Sequence, residues 1–314
     1  MRGFVANTDL EWFTFLRERQ PLEEVNFWQP SGHDAFRALH PGEPLLFRLK
    51  SPHNAIAGFG LFARHEIVPA WLAWESFDVR NGAPDYDTMC HRIERYRHGQ
   101  PADPHRQYRI GCIMLSQPVF FADGDWVREP AEWPRNTVRG KGYDLAEDEG
   151  RRVWEDCLAR LRSGTSPLAA EPVVVAGGER FGAPQIVLPR LGQATFRVAV
   201  TQAYGACAVT GEHSLPVLEA AHVQPFSKGG SHEVRNGLLL RTDIHRLFDR
   251  GYVTVTPELR FEVSDRLKAE YDNGKAYYAL HGSRIHIPGR DTDRPDPRQL
   301  RWHNENVYER GIAA

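Results

Sequence analysis

Residues 219–249 read EAAHVQPFSKGGSHEVRNGLLLRTDIHRLFD, and this stretch decides the fold of the C-terminal part of the chain. A short apolar run with β character ends at His222, and a polar loop with two adjacent glycines leads to a second apolar run, GLLLR (237–241). The next residues, TDIHRLFD (242–249), have a helical pattern, with Thr242 at the N-cap position. The stretch therefore predicts the order strand, loop, strand, helix.

Three polar side chains in this stretch suit the hydrolysis of a phosphodiester. His245 and Asp249 are four residues apart on the predicted helix, which places them on one face where they could bind one divalent cation. His222 lies on a hairpin that is expected to fold back over this helix. A neutral imidazole can take a proton from water near neutral pH, and a cation can stabilise the charge on the transition state and the leaving oxygen. One histidine base and one metal ion would suffice.

His222, Asn236 and His245, at intervals of 14 and 9 positions, resemble the signature of the HNH endonucleases, whose fold is the ββα-metal motif. The flanking sequences strengthen the resemblance to the HNH branch found in bacterial restriction-type nucleases. These flanks are GACAVTGE (205–212), HRLFDRGYVTVTP (245–257) and LRWHNENVY (300–308). The resemblance covers about the last third of the chain.

The resemblance implies a role for each matching residue. His222 would be the general base, and Asn236 would hold the loop and thereby orient the base. His245 would bind Mg²⁺, Mn²⁺ or another divalent ion, and Asp249 sits where some family members have a further ligand. The catalytic set implied in this way is His222, Asn236 and His245.

Two positions depart from the family pattern. Many HNH enzymes have Asp or His immediately before the base as a metal ligand, and this chain has Ala221 there. Glu219 shares the strand face of Ala221 and could supply the missing oxygen directly or through water. Cys207 is a single cysteine in CAVTG, whereas HNH domains with a structural zinc use paired cysteines, so no structural zinc is expected.

Simpler interpretations exist for several of these residues. Asn236 precedes a glycine, which is a common turn pair, and Asp249 could equally pair with a neighbouring arginine. His232 is predicted to be a solvated loop residue. Three cations could contact phosphate, although each could also be an ordinary surface charge: Lys228, Arg241 and Arg250.

The N-terminal part of the chain mixes strands and helices. Strands are predicted over PLLFRLK (44–50), AIAGFGLFA (55–63) and IGCIMLSQPVFF (110–121), and helices over DYDTMCHRIERYR (85–97) and AEDEGRRVWEDCLARLR (146–162). Thr8 and Glu11 fit a capping box for a further helix. The predicted organisation is an α+β domain over residues 1–163, a linker rich in Pro, Gly and Ala over 164–190, and a second domain over 191–314.

The segment VNFWQPSG (25–32) and the glycine-rich and aromatic residues that follow it resemble the PUA-like domains, which include EVE and SRA-type readers of modified bases. Such domains precede HNH modules in modification-dependent restriction enzymes. The resemblance implies an N-terminal PUA-like β-barrel with flanking helices, followed by the C-terminal ββα-metal HNH domain. A reader of modified bases takes the base out of the helix and needs an aromatic floor. The candidate pocket residues are Phe27, Trp28, Trp74 and Phe77.

The composition of the whole chain sets limits on its class. Of its 314 residues, 41% are hydrophobic and 25% are charged, as expected for a soluble globular protein. No apolar run is long enough to span a bilayer, and the first residues lack the pattern of a secretory signal, so the expected location is the cytoplasm, with no membrane partner. The net charge of −2 excludes a uniformly positive surface but leaves room for a local basic one that binds nucleic acid.

The sequence therefore predicts a restriction-type endonuclease that flips out a methylated or hydroxymethylated cytosine in double-stranded DNA and cuts nearby. One active site per chain predicts a homodimer, or two molecules on opposite strands, if the enzyme makes double-strand breaks. Two alternatives fit the same residues: a nonspecific HNH nickase or DNase, and a catalytically silent DNA-binding protein with the ββα motif as scaffold. Ala221 keeps the last alternative open.

Overall fold

The computed structural model describes residues 1–97, 103, 105–162 and 191–310, and the linker predicted over 164–190 lies outside them. The chain divides into two compact units, Met1–Thr195 and Phe196–Ala314. Both units combine helices with β-structure, so the α+β prediction is confirmed. None of the helices in the described part of the chain is long and apolar enough to cross a membrane.

The first unit is built around one sheet. Its strands are β1 (Arg2–Thr8), β2 (Glu24–Gln29), β3 (Pro44–Leu49), β4 (Ala55–Pro69), β5 (Arg109–Phe120), β6 (Val127–Arg128) and β7 (Gly140–Asp144). Its helices are α1 (Leu10–Arg17), α2 (Ala70–Phe77), α3 (Tyr86–Arg95) and α4 (Asp148–Arg162). The strands and helices predicted for this part of the chain are confirmed, and β4 is longer than predicted because its last six residues continue to pair with β5.

The strand order in the sheet is β2-β5-β4-β3-β1-β7, and β6 also pairs with β4. β1 and β3 are parallel, with Phe4 opposite Leu45, whereas the other pairs are antiparallel. A barrel requires its first and last strands to pair. Among the described residues, β2 and β7 each have a single neighbour, so these pairings form an open mixed sheet and do not close the predicted β-barrel.

The core of the first unit lies against the long central strands. Gly58 on β4 approaches the carbonyl oxygen of Val119 so closely that a Cβ would collide with it, and only glycine fits there. On one side Phe59 meets Trp154 of α4 edge to face, with ring centroids 5.1 Å apart. The apolar face of this helix consists of the buried or partly buried side chains of Val153, Cys157, Leu158 and Leu161.

Two predicted helix caps are wrong. The residue that caps α1 is Asp9, whose Oδ1 accepts hydrogen bonds from the backbone N–H groups of Glu11 (2.9 Å) and Trp12 (3.1 Å), so the helix begins one residue later than a Thr8 cap requires. Thr242 is already helical, and its hydroxyl instead donates to the carbonyl of Val217 at 3.1 Å. At α1 the carboxylate of the adjacent Asp9 takes the capping position, and at α6 the carbonyl of Val217 engages the hydroxyl of Thr242.

The second unit has smaller elements. They are α5 (Gln193–Tyr204, from Phe196 on), β8 (Leu218–His222), β9 (Gly237–Arg241), α6 (Thr242–Asp249), β10 (Val253–Val255), β11 (Phe261–Val263), α7 (Arg266–Tyr271), α8 (Lys275–Tyr278) and α9 (Pro297–Asn306). β8 and β9 pair in antiparallel fashion and α6 follows directly, which is the predicted order of strand, strand and helix. One apolar core, centred on the fully buried Leu238, Leu239 and Leu240 of β9, joins these elements.

His303 of α9 links the C-terminal helix to α6. Its ring is 2% exposed and stacks on Phe248, with centroids 3.7 Å apart and an interplanar angle of 11°. Nε2 donates to the carbonyl of Phe248 (3.1 Å), and Nδ1 accepts from the hydroxyl of Thr254 (2.8 Å). Burial lowers the pKa of His303 to about 4, so the neutral ring with both nitrogens satisfied is the folded form near neutral pH.

Replacing His303 with alanine should lower the free energy of unfolding of the second unit at pH 7 by about 2–3 kcal/mol. The change removes a buried ring, and the Thr254 hydroxyl and the Phe248 carbonyl each lose one hydrogen bond. Urea denaturation followed by circular dichroism measures the loss. Glu305→Ala, on the exposed side of the same helix, should change stability by less than ~0.5 kcal/mol.

This difference between wild type and His303→Ala should shrink on acidification. The folded pKa lies below the ordinary value of 6.5, so the unfolded chain takes up the proton first as the pH falls. The stabilisation is fully present above about pH 6.5 and is lost between about pH 6.5 and 4, at a cost approaching ~3 kcal/mol. A difference that stays constant over this interval would contradict the buried, neutral histidine.

Candidate active site

The β8–β9 hairpin and α6 position the polar residues of the second unit. His222 pairs with Gly237 and Leu218 with Arg241 in the hairpin register. The apolar side chains of this motif face the core, and Ile244 of α6 is fully buried with them. The partly exposed Glu219, His222 and His245 remain on the accessible side of the motif.

Asn236 holds the loop between the two strands. Its side chain is fully buried, and Oδ1 accepts from the backbone N–H of Gln224 at 2.9 Å. Nδ2 donates to the carbonyls of Gln224 and Ser231, both at 2.8 Å. Gly230 lets the loop close, since a Cβ there would collide with the Gln224 carbonyl. All three hydrogen bonds of the Asn236 side chain therefore lie inside the loop, where they act on its shape.

His222 lies at the end of β8 in contact with two aromatic rings. Its ring stacks on Phe196, with centroids 3.8 Å apart and an angle of 11°, and its Nε2 is 2.9 Å from Nδ1 of His232. Burial, followed by the charges of His232 and His245, lowers the pKa of His222 to about 4. The ring is therefore neutral near neutral pH and has a lone pair that can accept a proton.

The structure corrects the prediction for His232, which is not a solvated loop residue. Its ring is half-buried, lies within hydrogen-bonding distance of His222, and stacks on Phe226 with centroids 4.6 Å apart at 8°. Phe226 is itself 56% exposed, which is unusual for a phenylalanine in a polar loop. That phenylalanine, six residues before His232, is the sequence signal that could have revealed the contact.

Glu219, His245 and Asp249 form a second group. Glu219 Oε2 is 2.7 Å from Nδ1 of His245, and Asp249 Oδ2 is 3.4 Å from Nε2 of the same ring. Asp249 thus pairs with the histidine one turn earlier. Although its side chain is 60% exposed, crowding by surrounding atoms and the charge of Glu219 raise the pKa of the Asp249 carboxyl, and His245 opposes this shift.

This group fits a divalent cation by the chemistry of its donors. An imidazole nitrogen and two carboxylates are ligands that suit Mn²⁺ and Mg²⁺. A cation would also reduce the repulsion between the two carboxylates beside the ring. Among the described residues no three His, Cys, Asp or Glu side chains stand in a finished metal-binding arrangement. Glu219 already engages Nδ1, so Nε2 of His245 and Asp249 are the candidates for direct ligation. Ala221 is fully buried in the core.

The three cations proposed for phosphate contact differ in their surroundings. Arg241 donates through Nε and Nη2 to Asp243, at 2.7 and 2.8 Å, and this pairing is the main reason that the pKa of Asp243 falls to about 2. Lys228 and Arg250 are exposed. Arg241 is therefore already paired with a neighbouring carboxylate.

Cys207 is fully buried, and its Sγ accepts from the backbone N–H of Arg241. The absence of a structural zinc stays a prediction.

The first unit contains a cavity of about 350 Å³. Of the four predicted pocket residues, Phe27 and Trp28 line it, whereas Trp74 and Phe77 do not. Phe77 is fully buried in the core, and Trp74 packs against Tyr86. The aromatic side chains of the cavity are Phe4, Trp12, Phe27, Trp28 and Tyr96.

The polar lining of this cavity was not identified from the sequence. Tyr96 is 45% exposed, and its hydroxyl donates to Asp9 Oδ2 at 2.9 Å. Asp9 is the acidic residue among the lining side chains, and three cations line the same cavity: Lys50, Arg97 and Arg139. The cavity therefore combines stacking surfaces, one carboxylate and positive charge.

Comparison with known families decides the nature of the second unit. A family model described as HNH endonuclease matches residues 207–256, which span the hairpin and α6. These residues form an HNH endonuclease domain. The HNH prediction, and with it the prediction of a hydrolase of the nuclease type, is confirmed. HNH endonucleases generally use a divalent metal ion, and DNA is the substrate that such a domain implies.

Similarity to whole proteins is weaker. No curated protein matches the chain. Two structures of an ASCH protein from Zymomonas mobilis, one of them a point variant, cover 49% of this chain at 9–10% identity. The matched regions span 96% and 94% of the two ASCH chains, with TM-scores of 0.33 and 0.32. A structure titled as the modification-dependent restriction endonuclease TagI covers 93% of this chain and 78% of that chain, at 13% identity and a TM-score of 0.29.

Metal binding should depend on each member of the group around His245. His245→Ala and Asp249→Asn should each weaken Mn²⁺ binding by ~10-fold or more, since each removes a candidate ligand atom. Glu219→Gln should weaken it by about 10-fold to 100-fold, as expected for a carboxylate that orients a ligating histidine. Isothermal titration of the DNA-free protein with MnCl₂ measures the affinities. Asp291→Asn, an exposed carboxylate outside the group, is the control, and equal affinities for all variants would refute this site.

Proposed function

We propose that the protein is a restriction-type DNA endonuclease whose second unit cuts DNA and whose first unit reads a modified cytosine. The observation that carries the cutting role is the position of His222, which lies partly exposed at the end of β8 in the hairpin of the ββα motif, on the accessible side that also carries His245. His222 accepts the proton of the attacking water, and the water oxygen forms a bond to phosphorus. The bond from phosphorus to the leaving oxygen breaks, and that oxygen keeps the electron pair.

The group around His245 supports the charge that develops in this step. A divalent cation held by Nε2 of His245 and by Asp249 would supply positive charge at the phosphate and the leaving oxygen. Glu219 orients the imidazole of His245 through Nδ1. It therefore supports the histidine ligand and does not supply the ligand oxygen that Ala221 lacks. Lys228 and Arg250, which are both exposed, would contact neighbouring phosphates and so position the DNA without reading its sequence.

The cavity of the first unit supports the reading role. A flipped base needs aromatic surfaces to stack on, and Phe27, Trp28 and Tyr96 supply them. A cytosine presents an exocyclic amino group, for which a carboxylate is the fitting acceptor, and Asp9 lines the cavity. The open sheet and the helices around it are the scaffold that we assign to a PUA-like domain.

Cleavage of three matched plasmids tests this function. Wild-type protein with Mg²⁺ or Mn²⁺ should cut cytosine-methylated or hydroxymethylated plasmid and leave unmodified plasmid largely intact. His222→Ala should lose at least ~10²-fold in rate, because it removes the general base. Gel analysis of nicked and linear products measures the rates and distinguishes single-strand from double-strand cutting by a homodimer.

Each other outcome of this experiment points to a different function. Equal cutting of all three plasmids would identify a nonspecific nickase or DNase. DNA binding without any metal-dependent cutting would identify a silent binding protein on a ββα scaffold. Full activity of His222→Ala would exclude His222 as the base.

Tyr96→Ala should weaken binding to the modified duplex by about 5-fold to 100-fold, since stacking on one aromatic ring contributes about 1–3 kcal/mol per base. The ring is partly exposed, so its loss should leave the fold intact. Fluorescence anisotropy with modified and unmodified duplexes, in EDTA, separates reading from cutting. Leu10→Ala, an equally exposed apolar side chain that does not line the cavity, is the matched control. Unchanged selectivity of Tyr96→Ala would place the reader elsewhere.

A further inference from the structure

The contact between His222 and His232 restricts which nitrogen of His222 can act. Nε2 of His222 and Nδ1 of His232 are 2.9 Å apart, so in a hydrogen bond between them one nitrogen must carry the proton and the other must accept it. Within the described residues, no hydrogen bond engages the other nitrogen of His222, Nδ1. The pair therefore has two tautomeric arrangements with different consequences for catalysis.

In one arrangement His232 carries the proton and donates it to Nε2 of His222. The remaining proton of the neutral His222 ring is then on Nδ1, and neither nitrogen has a lone pair available for water. In the other arrangement Nε2 of His222 carries the proton and donates to Nδ1 of His232, which is protonated on its own Nε2. Nδ1 of His222 then has the free lone pair. Only the second arrangement is competent for proton transfer while the contact is intact.

We propose that His232 is a positioning residue that keeps the proton of His222 on Nε2 and thereby leaves Nδ1 as the atom that accepts the proton from water. This inference rests on the proposed role of His222 as base. When water gives up its proton, Nδ1 of His222 forms the new N–H bond and the ring becomes an imidazolium. The Nε2–H of that cation stays directed at the neutral nitrogen of His232, which stabilises the charge as the carboxylate does in a catalytic triad.

The surroundings of His232 suit this role because they fix the ring from two directions. Phe226 stacks on one face of the His232 ring, nearly parallel to it. The preceding residue, Ser231, is tied to Asn236 through its carbonyl at 2.8 Å. On the other side of the pair, Phe196 stacks on His222. Both imidazoles are thus held in planes that keep their nitrogens within hydrogen-bonding distance.

Nitrogen NMR of ¹⁵N-histidine-labelled, metal-free protein tests the tautomer directly, without any need for cleavage. The resonances of His222 are assigned by their loss in His222→Gln. Wild-type His222 should show the pattern of a ring protonated on Nε2. His232→Leu should shift His222 toward a mixture of both tautomers, whereas His232→Asn, whose side-chain oxygen can stand near the Nδ1 position, should retain the wild-type pattern.

Single-turnover cleavage of modified DNA with Mg²⁺ then tests the consequence. His232→Leu should lower the rate of the chemical step by about 10-fold to 100-fold, in the range of other residues that orient a functional histidine, with little change in DNA affinity. His232→Asn should restore most of the rate. His213→Ala, an exposed histidine outside the loop, should behave as wild type.

Three results would overturn the assignment: wild-type His222 protonated on Nδ1, an unchanged tautomer and rate in His232→Leu, or a loss in His232→Asn as large as in His232→Leu. Should His232→Leu fail to fold, His232→Ala, which also lacks an acceptor, takes its place in both measurements. Absence of cleavage by wild-type protein would refute the proposed function, and the NMR result would still decide the tautomer.

Discussion

The buried side chain of Asn236 closes the loop between β8 and β9, and the geometry of the candidate active site depends on this closure. One amide group makes three hydrogen bonds to the backbone of the loop, so it fixes the path of the chain from Gln224 to Ser231. A buried amide with every donor and acceptor used tolerates little change, because any altered path leaves polar atoms unpaired. These hydrogen bonds hold the loop in the path that brings His232 to His222.

The site separates into an aromatic part and a part rich in carboxylates. His222 and His232 are flanked by Phe196 and Phe226, and the low pKa of His222 follows mainly from burial. Around His245, in contrast, carboxylates remain accessible to solvent and can share a cation. Phosphodiester hydrolysis needs both environments, since a base must be neutral before it reacts and the phosphate needs positive charge beside it.

The two units use aromatic residues for different purposes. In the second unit phenylalanine rings orient imidazoles, and His303 stacked on Phe248 joins the C-terminal helix to α6. In the first unit aromatic rings surround a cavity of about 350 Å³, which is large enough for a base. The same residue type thus packs against imidazole rings in one unit and lines a cavity in the other.

Much of the local structure follows from the sequence alone. The alternation of apolar runs and a glycine-containing loop determined the β8–β9 hairpin and α6, and the helical period determined α4, because both patterns reflect which side of an element must be buried. The intervals between His222, Asn236 and His245 identified the HNH domain. The i, i+4 spacing also brought His245 and Asp249 together, since that spacing is set by the helix itself.

Contacts between residues that are distant in the pattern were decided only by the tertiary structure. His232 reaches His222 because the loop folds back, and no periodicity encodes that fold. Trp74 and Phe77 belong to the packing of the first unit, whereas Tyr96 and Asp9, 87 positions apart, meet at the cavity. Glu219 was expected to supply an oxygen to the metal ion. It contacts the ring of His245 instead, because the register of β8 places it beside α6. Sequence spacing determines which residues are neighbours within one helix or strand. The packing of helices and strands against each other determines the remaining contacts.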